Sequence, residues 1–289
     1  MTDPTAGRLL VVATPLGNLE DLSNRARTAL LEASRIVCED TRRTRKLLAR
    51  NGIDKPLVSC HKFNERARLP EIVGWLGNGE CLALVTDGGT PVVSDPGAAV
   101  VRSALDAGAS VVPIPGPSAV TAVLSICGFS ADRFVFDGFL PARAAERRKR
   151  LRDLARERRT IVVFEAPHRI RATLRDLDEV FGPRAIVLAR ELTKVHETVL
   201  RGTASEIALA LAGQPRGEIT LALAGAPEGT GGIAEPDARR LCEAWNDALA
   251  ACDDDRRLAL RRAARELGIG RAALFRALVE LGAVARESR

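Results

Sequence analysis

The six cysteines, at positions 38, 60, 81, 127, 242 and 252, include no Cys-x-x-Cys pair, and the chain has only three histidines. Metal sites need clustered thiolate or imidazole ligands, so no metal is expected. Thiols scattered through apolar and helical stretches fit buried, free cysteines in a reducing cytoplasm. No apolar run approaches the roughly 18 residues that suggest a membrane span. The start, Met1-Thr2-Asp3-Pro4-Thr5-Ala6-Gly7, lacks the basic-then-apolar order of a secretory signal. Together these absences point to a cytoplasmic protein with no membrane partner.

What is present is an ordinary globular composition, with 46% hydrophobic and 28% charged residues in 289. At roughly 150 residues per domain, that length suggests at least two domains. The net charge of +6 favours an acidic partner such as RNA without establishing one. Short apolar runs at Leu9–Ala13, Pro56–Ser59, Leu82–Thr86 and Ser110–Ile114 read as strands. Helical spacing at Leu22–Ala33, Thr41–Arg50, Leu69–Leu76 and Ala98–Ala107 alternates with them, which predicts α/β layering. Pro115-Gly116-Pro117 interrupts any element and marks a boundary, giving a first α/β domain over 1–117. A second runs over 118–228. It has a helix from Ser118, a strand at Arg133–Leu140 and a charged helix at Arg143–Arg159. Strands at Ile161–Glu165, Ala185–Arg190 and Glu218–Ala224 follow, with a helix over Ile170–Val180 between the first two. A glycine-rich connector, Gly225 to Gly232, precedes an all-helical module over 236–289. There, helix Arg257–Leu267, turn Gly268-Ile269-Gly270 and helix Arg271–Leu281 fit either a helix-turn-helix or a packing hairpin.

Several loops carry chemistry-bearing residues. Asp87-Gly88-Gly89-Thr90-Pro91-Val92-Val93-Ser94-Asp95-Pro96-Gly97 follows an apolar strand, and its paired glycines permit close backbone approach to a ligand. It ends in neither the Gly-Lys-Ser/Thr of a triphosphate loop nor the Gly-x-Gly-x-x-Gly of a dinucleotide loop. Asp95-Pro96 also reads as a helix start, with Asp95 as cap. Thr14-Pro15-Leu16-Gly17-Asn18 is a second strand-end turn. In Glu39-Asp40-Thr41-Arg42-Arg43 an acidic pair meets a basic cluster, either a phosphate-contacting helix start or a solvated face. His61-Lys62-Phe63-Asn64-Glu65 packs four polar chemistries into five residues. Residues 143–159 hold nine cations against three carboxylates, a candidate RNA-backbone surface.

These segments, in this order, resemble the bacterial 16S rRNA cytidine 2'-O-methyltransferases of the tetrapyrrole methylase superfamily. The matching stretches are VVATPLGNLEDLSNRA, CEDTRRTRKLL, SCHKFNE, LVTDGGTPVVSDPG, VVPIPGPSAVTAVLSICG, FDGFLP, VVFEAPHR, ARELTKVHET and RGTASEI, spanning about residues 9 to 225. Phe164 stands where tyrosine is frequent in that family and Ala166 where serine is frequent. The resemblance implies two α/β domains holding S-adenosylmethionine (SAM) in their cleft, a homodimer, and methylation of a cytidine ribose 2'-oxygen in the decoding centre of the small ribosomal subunit. It carries cofactor contact onto Pro15, Gly17, Asp87, Gly88, Gly89, Thr90, Pro91, Ser94, Asp95, Pro115, Gly116, Pro117, Ser118 and Ala119. The Phe164-Glu165 strand end and Glu218 to Leu221, with Phe164, Glu218 and Thr220 foremost, would line the adenosine side.

Methyl transfer from a sulfonium requires alignment and a place for the hydroxyl proton. Asp40, His61, Glu65, Asp87, His168 and Lys194 are the candidate acceptors, and sequence does not choose among them. Arg42, Arg43, Arg147, Arg148, Arg150 and Arg169 are the candidate RNA contacts. Two further readings stay open: a small-molecule methyltransferase using the same cleft, and an RNA-binding protein without activity.

Overall fold

The computed structural model describes residues 7–211, 213, 215–227, 238–252, 255–267, 271–281 and 283. The glycine-rich connector from residue 228 and the turn Gly268-Ile269-Gly270 lie outside the described residues. The chain divides into two compact units, one ending at Gly225 and the other beginning at Ala226.

The first unit contains two five-stranded sheets. Strands β1 (Arg8–Val12), β2 (Arg35–Cys38), β3 (Leu57–Ser59), β4 (Cys81–Val85) and β5 (Ser110–Ile114) form an all-parallel sheet in the order β3-β2-β4-β1-β5. Parallel strands need crossovers, and helices supply them on both faces, so the central strands read as continuous apolar runs. Helices α1 (Asn24–Glu32) and α2 (Thr41–Arg50) cover one face through Ala26, Leu30 and Leu48. Helices α3 (Glu65–Gly77) and α4 (Ala98–Asp106) cover the other through Ile72, Leu76, Val100 and Ala104. Asp40 caps α2 by accepting the Arg42 backbone N–H at 2.8 Å.

Pro115-Gly116-Pro117 falls between β5 and α5 (Ala119–Cys127). The second sheet is mixed: β6 (Phe134–Phe139), β7 (Thr160–Glu165), β8 (Ile186–Arg190), β9 (Thr198–Gly202) and β10 (Ile219–Leu223), ordered β6-β7-β10-β8-β9. Only the β6–β7 pair is parallel. Ile161 and Val163 point to α6 (Ala144–Leu154), α7 (Ile170–Phe181) and α8 (Ala204–Ala210), whereas Val162 points to α5, the alternation a two-faced strand requires.

The sequence reading predicts strands and helices within a few residues of most of these elements, with three differences. It omits β2, whose apolar core is only Ile36-Val37-Cys38, as well as β9 and α8. The charged helix is shorter than the predicted 143–159, because α6 ends at Leu154 and the chain turns into β7. That turn is held by the Glu157 carboxylate, which accepts from Arg159 Nε at 2.8 Å and its backbone N–H at 2.9 Å. Asp95 is not the cap of α4. That helix begins at Ala98, and Glu65 Oε1 reaches across from α3 to accept the Gly97 and Ala99 N–H groups at 2.9 and 3.2 Å.

The second unit contains α9 (Ala238–Ala250), α10 (Arg256–Glu266) and α11 (Arg271–Glu280). They share a core of Leu241, Trp245, Ala259, Ala263, Leu274 and Leu278. Among the described residues, no helix is long and apolar enough to cross a membrane.

Candidate active site

The loop after β4 is fixed by backbone pairing. Thr14 and Gly89 exchange both N–H···O bonds at 2.9 Å, and Thr14 Oγ1 donates to the Thr86 carbonyl at 3.2 Å. A Cβ at Gly88 would lie 3.1 Å from the Pro15 carbonyl, and Gly89 has φ +87°. Thr90 Oγ1 donates to the Pro117 carbonyl at 3.2 Å, tying the loop to the turn after β5. Beyond it, Val92 (φ 76°) and Ser94 (φ 66°) occupy the left-handed region. A β-branched residue there is strained by about 1–3 kcal/mol, a conformation that persists only where its surroundings hold it.

The second sheet faces this loop with the end of β7 and the start of β10. Phe164 pairs in register with Thr220 and meets Phe136 and Phe139 edge to face, at centroid distances of 5.0 and 5.5 Å. Glu165 is buried, accepts from Thr173 Oγ1 at 2.6 Å and pairs with Arg169. This clamp fixes where β7 ends.

Between the sheets lies a cavity of about 330 Å³. Asp87, Gly88, Gly89, Thr90, Asp95, Ser118, Ala119, Phe164, Glu218 and Thr220 line it, ten of the residues to which the family resemblance carries cofactor contact. Leu16, Val93, Phe139, Glu165, Ala166, Pro167 and Ile219 complete the lining. Of these, Glu165 and Ile219 fall in the Phe164-Glu165 and Glu218–Leu221 stretches that the resemblance places on the adenosine side, and Phe139 carried a signal in the FDGFLP motif. Pro15, Pro91, Ser94, Pro115, Gly116 and Pro117 do not line the cavity; several shape it from behind. Gly116 leaves room for Ala13, whose Cβ would be 3.1 Å from a Cβ at 116. Gly17 belongs elsewhere. It faces an open groove of about 1060 Å³ shared with Arg50, Lys194 and His196, and any side chain at 17 would overlap the Lys194 stem.

Of the proton-acceptor candidates, only Asp87 reaches the cavity. Asp40 is the α2 cap, and the Arg42 guanidinium and N–H hold its carboxyl well below the usual carboxylate range. Glu65 is engaged at the start of α4. His61 Nδ1 accepts the Phe63 N–H at 3.3 Å in the β3–α3 turn, and His168 is exposed. Burial alone would lower the Lys194 pKa, but pairing with Glu191 at 2.8 Å and Glu218 at 3.3 Å outweighs it, so the ammonium is raised and is no base at neutral pH. Asp87 is raised by burial, against the pull of Arg43 at 3.3 Å. Asp95 is pushed up to about 6, first by burial and then by the nearby Glu39 carboxylate.

The arginine candidates divide. Arg147 is 4% exposed and paired to buried Asp176 at 2.7 Å, a core contact rather than an RNA contact. Arg148 shares Asp176 at 3.3 Å, and Arg150 is paired with Asp137. Arg169 is turned inward to Glu165. Arg42 and Arg43 remain exposed at the rim.

Residues 8–208 match the family of Tetrapyrrole (Corrin/Porphyrin) Methylases. The Ribosomal RNA small subunit methyltransferase I of Xylella fastidiosa is 51% identical over 209 residues, 72% of this chain and 77% of that protein. The protein of the same name from Thermotoga maritima is 46% identical over 200 residues, 69% of this chain and 90% of that one. The crystal structure of a diphthine synthase superposes with a TM-score of 0.59 over 75% of this chain and 90% of that one. Its sequence identity is 18%, so this likeness is one of fold.

Proposed function

Because the chain belongs to the tetrapyrrole (corrin/porphyrin) methylase family, within its ribosomal RNA small subunit methyltransferase I branch, we propose that it methylates 16S rRNA with SAM. The target is a cytidine ribose 2'-oxygen in the decoding centre. The protein works in the cytoplasm, as a homodimer. The observation that carries this reading is the cavity lining. SAM carries a cationic sulfonium and ammonium, and Asp87, Asp95 and Glu218 present carboxylates of complementary charge. Gly88 and Gly89 line the cavity while their missing side chains let the loop press against Pro15 and Leu16, and Phe139 and Phe164 offer the apolar surface a purine requires. Gly88, Gly89, Thr90, Ser118, Ala119, Phe164 and Thr220 would hold the group. When bound, SAM supplies a methyl group already activated by its sulfonium.

The chain's own task is to hold the ribose hydroxyl in line and take its proton. Asp87 has both oxygens engaged, Oδ1 by the Asp40 N–H at 3.1 Å and Oδ2 by Arg43. Asp95 therefore takes the proton. With a pKa of about 6 it is ionised at neutral pH yet more basic than an ordinary aspartate. The strained Val92 and Ser94 flank the stretch that sets its position. Incubating the purified protein with methyl-labelled SAM and unmodified small ribosomal subunits, then mapping labelled riboses in 16S rRNA, tests the reading. Label at a single decoding-centre cytidine supports it, and SAM binding without label in the RNA refutes it.

A further inference from the structure

Phe63 is the most exposed phenylalanine described, at 92%. It does not sit on a loose loop. The Asn64 side chain accepts the His61 N–H at 2.7 Å and donates to the Ser59 carbonyl at 3.2 Å, and the Glu65 N–H returns to the His61 carbonyl at 2.9 Å. The His61 ring stands edge-on to the phenyl ring, with centroids 6.1 Å apart. Such a turn holds an aromatic face out to solvent at low entropic cost to a partner.

Its place is set by strand register. Ser59 pairs with Cys38, and Cys38 with Val85. His61, Asp40 and Asp87 each follow those residues by two, so three turns leave the sheet at one level, side by side. Adjacent strands lie about 4.8 Å apart, which puts the Phe63 turn about 10 Å from the cavity wall. The Cys60 N–H to Cys38 carbonyl bond at 2.8 Å keeps this alignment up to the turn itself. Cations surround the path. Lys62 and Arg66 lie one and three residues from Phe63 in the chain and Arg45 and Lys46 lie on α2; all four are exposed and without an ion pair among the described residues. An exposed aromatic ring among unpaired cations is the chemistry that recognises single-stranded nucleic acid, in which bases stack while cations follow the phosphates.

We propose that Phe63 is a stacking platform for an unpaired nucleobase close to the target nucleotide, on the RNA strand that enters the cavity past Arg43. The proposal rests on the RNA reading above and assigns the β3–α3 turn as its base-binding subsite. Phe63 touches neither the cavity nor the hydrophobic core, so its replacement leaves the fold and SAM affinity intact.

Phe63→Ala, Phe63→Leu and Phe63→Trp are compared for SAM affinity by calorimetry and for KM and kcat on small ribosomal subunits. For Phe63→Trp, fluorescence is followed as a single-stranded oligoribonucleotide is added. Phe63→Ala and Phe63→Leu should raise KM about tenfold, a loss of about 1.4 kcal/mol, with kcat and SAM affinity unchanged. Phe63→Trp should restore KM, and its emission should be quenched by the oligonucleotide. Equal KM for wild type and Phe63→Ala overturns the proposal, and so does rescue by leucine as complete as by tryptophan. A KM defect on intact subunits with no quenching by RNA assigns the contact to a ribosomal protein and overturns it as well. If the wild type methylates no ribosomal RNA, the underlying reading fails instead, an outcome distinct from a wild type that is active and indifferent to Phe63.

Discussion

Helix α6 and the edge built from α2 and the β3–α3 turn are both rich in cations, yet they differ in what their charges do. In α6, Arg147 and Arg148 converge on Asp176 and Arg150 is paired with Asp137. On the edge, Arg45, Lys46, Lys62 and Arg66 have no carboxylate partner among the described residues. Three of the five cations of α6 are thus held by carboxylates from elsewhere in the fold, with Lys149 and Arg152 left exposed, whereas on the edge Arg42 and Arg43 are paired and the four cations named above face outward. Charge counted along a chain measures a field only when no acidic residue returns to it from elsewhere. Here Asp176 lies 29 positions after Arg147.

Breaking the inner member of this contrast should give the largest effect. Arg147→Ala leaves Asp176 buried with only Arg148 as a partial partner, and Arg147 also donates to the Ala142 carbonyl at 3.2 Å. Removing one side of a buried pair costs about 3–5 kcal/mol. Urea denaturation should show that loss, while the RNA affinity of the remaining folded protein, measured per active molecule, is unchanged. A stable variant with weak RNA binding would place Arg147 at the RNA surface after all.

The same contrast applies to carboxylates, between paired Asp176 and Asp95. The folded-state pKa of Asp95, about 6, lies above the roughly 3.9 of an unfolded aspartate. Ionised Asp95 therefore costs the folded protein stability above pH 6, and the cost fades as the pH falls from 6 towards 4. Asp95→Asn should be more stable than wild type at pH 8, by about 3 kcal/mol, with the advantage shrinking towards pH 4. Methyl transfer should fall about a hundredfold, the usual loss of a proton acceptor, and wild-type kcat/KM should rise with pH through about 6. A stability difference that does not vary with pH would show that Asp95 is not the titrating group.

Smaller effects should separate the outward cations. Replacing Arg45, Lys46 and Lys62 by glutamine should reduce the slope of log affinity against log salt by about 0.7–0.9 for each phosphate no longer neutralised. SAM affinity should stay the same. An unchanged slope would move the RNA path away from α2.

The contrast also marks how far the sequence could be read. Strand-then-turn punctuation located the Asp87 loop, and seven of the ten residues meet at the cavity because a parallel sheet brings the ends of β4 and β5 to one edge; Phe164, Glu218 and Thr220 come from the antiparallel pair β7 and β10 of the other sheet and were legible only through the family resemblance. What stayed illegible depended on partners distant in the chain. Glu65 looks like a chemical group beside His61 until α4 is seen to need its Oε1. Gly17 looks like a cofactor glycine until Lys194, far along the chain, lies against it. β2 was missed because four residues between two helices give no period to detect.

The smallest expected effect is the sharpest probe of α6. Arg148 and Arg150 are 38% and 43% exposed, and each reaches in to a carboxylate that is itself nearly buried, Asp176 and Asp137. Partly exposed pairs of this kind contribute about 0–1 kcal/mol, so the double variant Arg148→Ala, Arg150→Ala should unfold within about 1 kcal/mol of wild type. Because Arg150 is held by Asp137 and Arg148 shares Asp176 with Arg147, counterion release on RNA binding should draw little on either. Salt titrations of the double variant and the wild type should then give parallel lines with the same slope. A shallower slope in the double variant would mean that RNA phosphates displace Asp176 and Asp137 on binding. The helix would then be a second contact surface exchanging one set of partners for another.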